Sequence, residues 1–237
     1  MSDNTTIYLK DYQPPAYVIN RTELSIELET TIDDLEAEPQ TVTIVRSRIE
    51  IEHIEQAEYK TDKTLRLDGQ NLQLQSVLLD GKALSEQEFQ RTDEQLIIPD
   101  VPDSFVLEIE TWLKPEENKA LEGLYKSSGN FCTQCEAEGF RRITYYLDQP
   151  DVMSVFTTAI VADKEKYPIL LANGNLVEKR DLPNGRHYAV WHDPFKKPCY
   201  LFALVAGDLV KIEDTYLTLS GKTVSLQFFV EPQNAKK

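Results

Sequence analysis

The feature that most constrains how this chain can fold is a period-two alternation of apolar and polar residues. Leu24, Ile26 and Leu28 alternate with Ser25 and Glu27, and Val42, Ile44, Ile49 and Ile51 continue the pattern on either side of residues 46–48. A period of two sends successive side chains to opposite faces, so each run fits a strand with one buried and one charged face. Asp68-Gly69, Asp80-Gly81 and Asn173-Gly174 lie between such runs. Asn or Asp before Gly supplies the positive φ angles that tight hairpins need. The same criteria predict strands at residues 72–79, 95–98, 105–112, 143–147, 155–162, 187–192, 200–205 and 224–230. Helical signals are confined to one turn at 85–89 and another at 151–156, after Pro150. Many short strands at fairly regular spacing predict an all-β, multi-sheet sandwich with few short helices rather than a parallel α/β fold. Residues 114–119, Lys-Pro-Glu-Glu-Asn-Lys, read as an exposed loop within one domain.

At 237 residues the chain can bury roughly 70% of its unfolded surface, so no disulfide or metal is needed to hold it together. Its formal net charge of −15 argues against nucleic acid or an anionic membrane as a partner, because both require clustered Lys and Arg. No run approaches the ~20 apolar residues that cross a bilayer. The opening MSDNTTIYLKDYQPP lacks a basic segment followed by an apolar one, so it does not read as a secretory signal. Three cysteines, an odd number in a long chain, fit free thiols in a reducing cytosol, and the expected location is cytoplasmic. Without secretion, the glycosylation patterns at Asn4-Thr5-Thr6 and Asn20-Arg21-Thr22 are incidental. Only Glu-Pro-Gln-Asn-Ala-Lys-Lys follows the predicted strand 224–230, as expected of an excised domain.

The chemistry is concentrated in residues 131–151, FCTQCEAEGFRRITYYLDQPD. Cys132 and Cys135 form a C-x-x-C, but a structural zinc site needs four ligands, and Cys199 is the only other cysteine. A redox site would need that pair at the start of a helix in a βαβ unit, whereas this region reads as β-rich. His187 and His192 are an odd number of residues apart, so on a strand they face opposite ways and cannot chelate together. No H-E-x-x-H, G-x-S-x-G or glycine-rich phosphate loop occurs, so the chain carries no catalytic set of its own. Gln134 and Glu136 are two apart and, if extended, project from the same side toward one cation. A peptide α-amine, with a pKa of about 7.7–8.0, is largely protonated at neutral pH. A carboxylate ~4 Å away attracts it by about 4 kcal/mol before desolvation. Spacing alone, however, favours an ordinary solvated Gln and Glu.

The surrounding words decide between these readings. LEGLYKSSGNFCTQCEAEGFRRITYYLDQPDV, KYPILLANGN and DPFKKPCYLFALVAGD resemble the aminopeptidase N family of zinc exopeptidases. Within it, the chain is most similar to the N-terminal β domain of the bacterial, cytosolic type, densely so over residues 120–208. The resemblance implies a saddle-like domain of β-sheets, here residues 1–237 with 1–16 as an N-terminal arm. It also implies a thermolysin-like catalytic domain beginning after about residue 237. That domain would carry the zinc-binding H-E-x-x-H-x18-E and a G-x-M-E-N motif, neither of which this sequence contains. Zn2+ is therefore expected in the full-length enzyme and none in this chain, which by itself should be inactive. The family's Gln-x-Glu falls on Gln134 and Glu136, implying that they bind the amino terminus of a peptide substrate while the chain's own catalytic domain cuts. Docking against that domain implies an apolar or polar-aromatic face that this chain alone leaves exposed. The rival expectation is a free-standing β-sandwich binding or scaffold protein without peptidase activity. A thiol-based redox role for Cys132 and Cys135 ranks behind both.

Overall fold

A computed structural model describes residues 8–9, 12–32, 38–54 and 63–236. Most of the expected 1–16 arm, the sequon at Asn4 and the terminal Lys237 lie outside the described residues. The strands, in chain order, are β1 (Tyr17–Ile32), β2 (Gln40–His53), β3 (Leu65–Asp68), β4 (Gln73–Leu79), β5 (Lys82–Ala83) and β6 (Gln90–Arg91). They continue as β7 (Gln95–Ile98), β8 (Ser104–Leu113), β9 (Gly123–Ser127), β10 (Asn130–Gln134), β11 (Met153–Asp163) and β12 (Ile169–Ala172). The last five are β13 (Asn175–Asp181), β14 (Arg186–Pro198), β15 (Leu204–Gly207), β16 (Val210–Leu217) and β17 (Thr223–Val230). Helix is limited, among the described residues of named elements, to single 3-10 turns such as Pro115–Glu117 and Phe140–Arg142. The fold is all-β, as the alternation predicts.

The strands form four sheets. An eight-stranded sheet has the order β13-β14-β11-β1-β2-β8-β4-β5, a four-stranded sheet β12-β15-β10-β9, a three-stranded sheet β3-β7-β6, and β16 pairs with β17 alone. Within the large sheet β1 and β11 run parallel, while the other pairs are antiparallel. One continuous core joins three of the sheets. Ile26, Ile49 and Leu107 come from the large sheet, Leu67 and Leu96 from the three-stranded one, and Phe131, Leu170 and Leu204 from the four-stranded one. None of its buried members comes from β16 or β17.

The alternation is interrupted where the backbone is irregular. In β2 the buried positions run Val42, Thr43, Ile44 and Val45 before Ser47, Ile49 and Ile51 resume the alternation. Opposite this slip, β1 carries a register shift between Glu27 and Thr30, with Glu29 at φ 47°. A bulge inserts an unpaired residue and so changes the phase of every side chain beyond it.

Several local expectations are corrected. Residues 143–147 are not a strand: this segment runs between the sheets, and only Tyr146 makes an isolated bridge, to Asp68. Its polar groups are satisfied by the layers on either side. The Thr111 hydroxyl donates to the Ile143 carbonyl at 3.2 Å, and Ser47 and Thr144 share a hydrogen bond of 3.0 Å. Tyr146 Oη lies 2.7 Å from Thr22 Oγ1. The apolar run Ile-Thr-Tyr-Tyr-Leu signals burial, and burial between sheets needs no ladder of its own. The helical turn expected at 151–156 is absent, because the chain there enters β11. Residues 85–89 make one turn, with Glu88 N donating to Ser85 O at 2.9 Å. Of the three Gly turns, Asp80-Gly81 is a hairpin with both φ angles positive, 50° and 76°. Asp68-Gly69 and Asn173-Gly174 instead lead from one sheet to another. At Gly69 the requirement is steric, since a Cβ would overlap the Tyr145 ring. Residues 200–205 divide into a 3-10 turn at Cys199–Leu201 and the start of β15.

A candidate amine-binding turn after strand β10

Gln134 and Glu136 lie at the exit of β10 from the four-stranded sheet. The hairpin β9–β10 turns at Ser128-Gly129, whose φ angles of 51° and 85° suit a two-residue loop. β10 is pinned on its other side to β15, and Thr133 Oγ1 accepts the Leu204 amide at 2.8 Å. Gln134 is the last strand residue, so Glu136 is not in the extended run the two-residue spacing assumed but opens a turn over residues 136–139. The turn closes when Gly139 N donates to Cys135 O at 2.8 Å. The Glu136–Ala137 peptide within it is cis. Gly139 admits no side chain, because a Cβ would run into the Gln134 carbonyl oxygen.

Both side chains are exposed, and the Gln134 side chain donates from Nε2 to the backbone carbonyl of Glu136 at 3.1 Å. The neighbouring acids are committed elsewhere: Glu138 sits 3.5 Å from Arg141 Nη2, and Glu122 Oε2 3.0 Å from Arg142 Nε. Among the described residues no cation pairs with the Glu136 carboxylate. The turn therefore presents one uncommitted carboxylate beside an amide oxygen, which are acceptors for an ammonium group. Beneath it, Phe140 packs against Tyr146, Phe156 and Phe202 at centroid distances of 4.8, 6.0 and 5.3 Å. Phe140, Tyr145 and Tyr146 are all buried, so none of them is available to a ligand.

Sequence reasoning gave no role to Asp148, Arg141, Thr133 or Gly139, which hold this turn in place. The signal for Asp148 was its place directly after the apolar run 143–147, since an acid carried into the interior needs a buried partner.

The cysteines are free thiols, with Cys135 and Cys199 buried and Cys132 half-buried. Burial, reinforced by the Asp148 carboxylate, pushes the Cys135 thiol far above its ordinary range, and burial also raises that of Cys132. Thiols with so little thiolate are poor partners in exchange, which argues against the redox reading. His187 Nε2 meets the Tyr167 carbonyl at 2.8 Å and His192 Nδ1 the Thr157 hydroxyl at 3.0 Å, on different neighbours. Among the described residues no three His, Cys, Asp or Glu side chains are grouped so as to hold a metal ion. These residues do not fit a zinc site. Nor is any helix among them long and apolar enough to cross a membrane.

The family model described as the Peptidase M1 N-terminal domain matches residues 19–201. Aminopeptidase N of Escherichia coli (strain K12) is 45% identical over 227 residues, 96% of this chain and 24% of the relative. Aminopeptidase N of Caulobacter vibrioides is 44% identical over 231 residues, 98% of this chain and 25% of the relative. The chain thus spans about a quarter of the length of the curated relatives it matches. Among solved structures, Legionella pneumophila aminopeptidase A in complex with aspartic acid superposes with a TM-score of 0.88 at 35% identity, covering 97% of this chain and 26% of that one. An M1 zinc metallopeptidase from Deinococcus radiodurans shares the fold, with a TM-score of 0.71 at 13% identity over 92% of this chain and 48% of its own. By the length and specificity of these matches, the chain belongs to the peptidase M1 N-terminal domain family.

Proposed function

We propose that this chain is the substrate-anchoring domain of a zinc aminopeptidase that releases N-terminal residues from peptides, and that Gln134 and Glu136 receive the substrate's free amine. The observation that carries the reading is the uncommitted Glu136 carboxylate on a turn whose backbone carbonyl holds the Gln134 side chain, while its acidic neighbours Glu138 and Glu122 contact arginines. An exopeptidase must accept chain ends only. A carboxylate placed for a terminal ammonium does this, because an internal peptide bond offers no cation and leaves the carboxylate unpaired. Holding the amine also fixes which carbonyl comes next, so orientation follows from the same contact.

Zinc and the residues that hold it would belong to the remainder of the enzyme, since the described residues offer no set of ligands. The partner of this domain would be that remainder, which accounts for the fourfold greater length of its relatives. The face available for docking is the apolar side of the β16–β17 ribbon, outside the matched residues 19–201. The net charge of −15 and the free thiols suit a cytoplasmic enzyme that binds neither nucleic acid nor an anionic membrane.

The test is Glu136→Gln in the full-length enzyme. Charged hydrogen bonds contribute roughly 1.5–3 kcal/mol, so kcat/KM for a free-amine amino-acid amide should fall about 10- to 100-fold. Competition by an N-acetylated peptide should become relatively stronger. Unchanged kinetics with both ligands would remove Glu136 from the site.

A further inference from the structure

We infer that Asp148, acting through Arg141, is the positioning residue that sets where Glu136 stands, an inference that rests on the substrate-anchoring reading. Asp148 is 4% exposed and lies under the turn. Its Oδ2 accepts both the backbone N–H of Arg141 at 3.1 Å and the side-chain Nε at 2.9 Å. Arg141 Nη2 returns to the Asp148 carbonyl at 3.1 Å, so the guanidinium is held at two points of one residue. The other carboxylate oxygen, Oδ1, receives the Cys199 thiol at 3.0 Å.

From this seat the same guanidinium reaches up to Glu138, with Nη2 3.5 Å from Oε1, and sideways to Asp68 at 4.0 Å. Glu138 is 70% exposed on its side chain and shares the turn with Glu136. A planar guanidinium bound at several points fixes angle as well as distance, which a lysine or a purely apolar contact does not. Gly139 then ties the far end of the turn to Cys135, the residue between Gln134 and Glu136.

The segment also has anchors other than this pair. Phe140 is already buried in an aromatic cluster, and Asp68 and Tyr146 exchange backbone hydrogen bonds of 2.8 and 3.0 Å. What the Asp148–Arg141 pair adds is control of the acids at the rim. It gives Glu138 a charged contact and leaves the carboxylate of Glu136 without one. A supporting residue of this kind changes the placement of a ligand-binding group without touching the ligand.

The experiment is a double-mutant cycle in the full-length enzyme, combining Asp148→Asn with Glu136→Gln and reading kcat and KM on a free-amine amino-acid amide. In the native background Asp148→Asn should lower kcat/KM about tenfold, chiefly through KM. In the Glu136→Gln background the same change should cost less than about twofold, because the group it positions is gone. Arg141→Lys, which keeps the charge and loses the fork, should give a smaller loss with the same collapse. It decides the matter if Asp148→Asn does not fold. Equal losses in both backgrounds, or no loss at all, would overturn the inference while leaving Glu136 in its role. A silent Glu136→Gln would instead overturn the substrate-anchoring reading, and this inference with it.

Discussion

Glu29 shows how much one side chain can carry when the backbone presents it. Held at φ 47° by the bulge in β1, it forms ion pairs with Lys126 and, at 3.2 Å, Lys166, and accepts the Tyr167 hydroxyl at 2.7 Å. Burial by itself would raise its pKa, but the hydrogen bonds from Lys126, Tyr167 and Lys166 outweigh it and lower the value to about 2. A folded pKa below the ordinary 4.5 means stabilisation that is complete above about pH 4.5 and is lost as pH falls toward 2. Urea unfolding of Glu29→Gln should therefore show a deficit of about 1–3 kcal/mol near pH 7, with the gap to the native chain closing by about pH 2. A gap independent of pH would mean that the carboxylate charge contributes nothing. None of this was readable from the sequence, because Glu29, Lys126 and the adjacent Lys166 and Tyr167 come from three separate stretches of the chain. Glu136 was legible only because its neighbours spell out a long family-specific word; its spacing from Gln134 describes any solvated pair.

The hairpin β9–β10 was not identified as a pair of strands, yet it presents the candidate site. Gly129 in the hairpin and Gly139 in the turn that follows test different kinds of constraint. Gly129, at φ 85°, has open space around its Cβ position, whereas Gly139 meets the Gln134 carbonyl at an ordinary φ. Gly129→Ala should cost only the backbone preference, about 1 kcal/mol. Gly139→Ala must push the turn away from β10, at a cost of about 1–3 kcal/mol, and should weaken amine binding as well. Thermal unfolding of the two variants side by side checks the order; a larger loss for Gly129→Ala would contradict it. The long strands β1, β8 and β11 were legible because one face of each is buried and the alternation follows, as it does in β2 from Ser47 to Ile51. The 143–147 segment misled because its apolarity comes from being enclosed between sheets, with hydrogen bonds to side chains above and below. A local pattern reports burial and does not name the partner.

At the scale of the whole molecule, the β16–β17 ribbon stands apart from the core. Its directly paired residues share a face, and on one side these are Val210 with Val230, Ile212 with Phe228, Asp214 with Leu226 and Tyr216 with Val224. Seven of these eight are apolar, yet Phe228 is 54% and Tyr216 56% exposed. A two-stranded ribbon is marginal in water without a hydrophobic surface to pack on, so this face is where a covering domain would bear. In the 237-residue chain, Phe228→Lys should leave the melting temperature within about 2 °C while reducing binding of an apolar fluorescent dye, since the contact it removes is with water. A large drop in melting temperature would show that the ribbon already packs on this domain.

The sequence by itself determined the all-β class, most of the long strands and, through its family-specific words, the identity of the residues at the candidate site. Those follow from local rules: period-two burial, turn chemistry, and side-chain types set in close order. Only the tertiary structure decided which strands share a sheet, that Glu136 stands on a turn, and that Asp148 and Arg141 lie beneath it. Pairing between strands and the burial of an ion pair depend on residues far apart in the chain coming together. Alternation is the same whichever neighbour supplies the hydrogen bonds, so no local pattern encodes that choice.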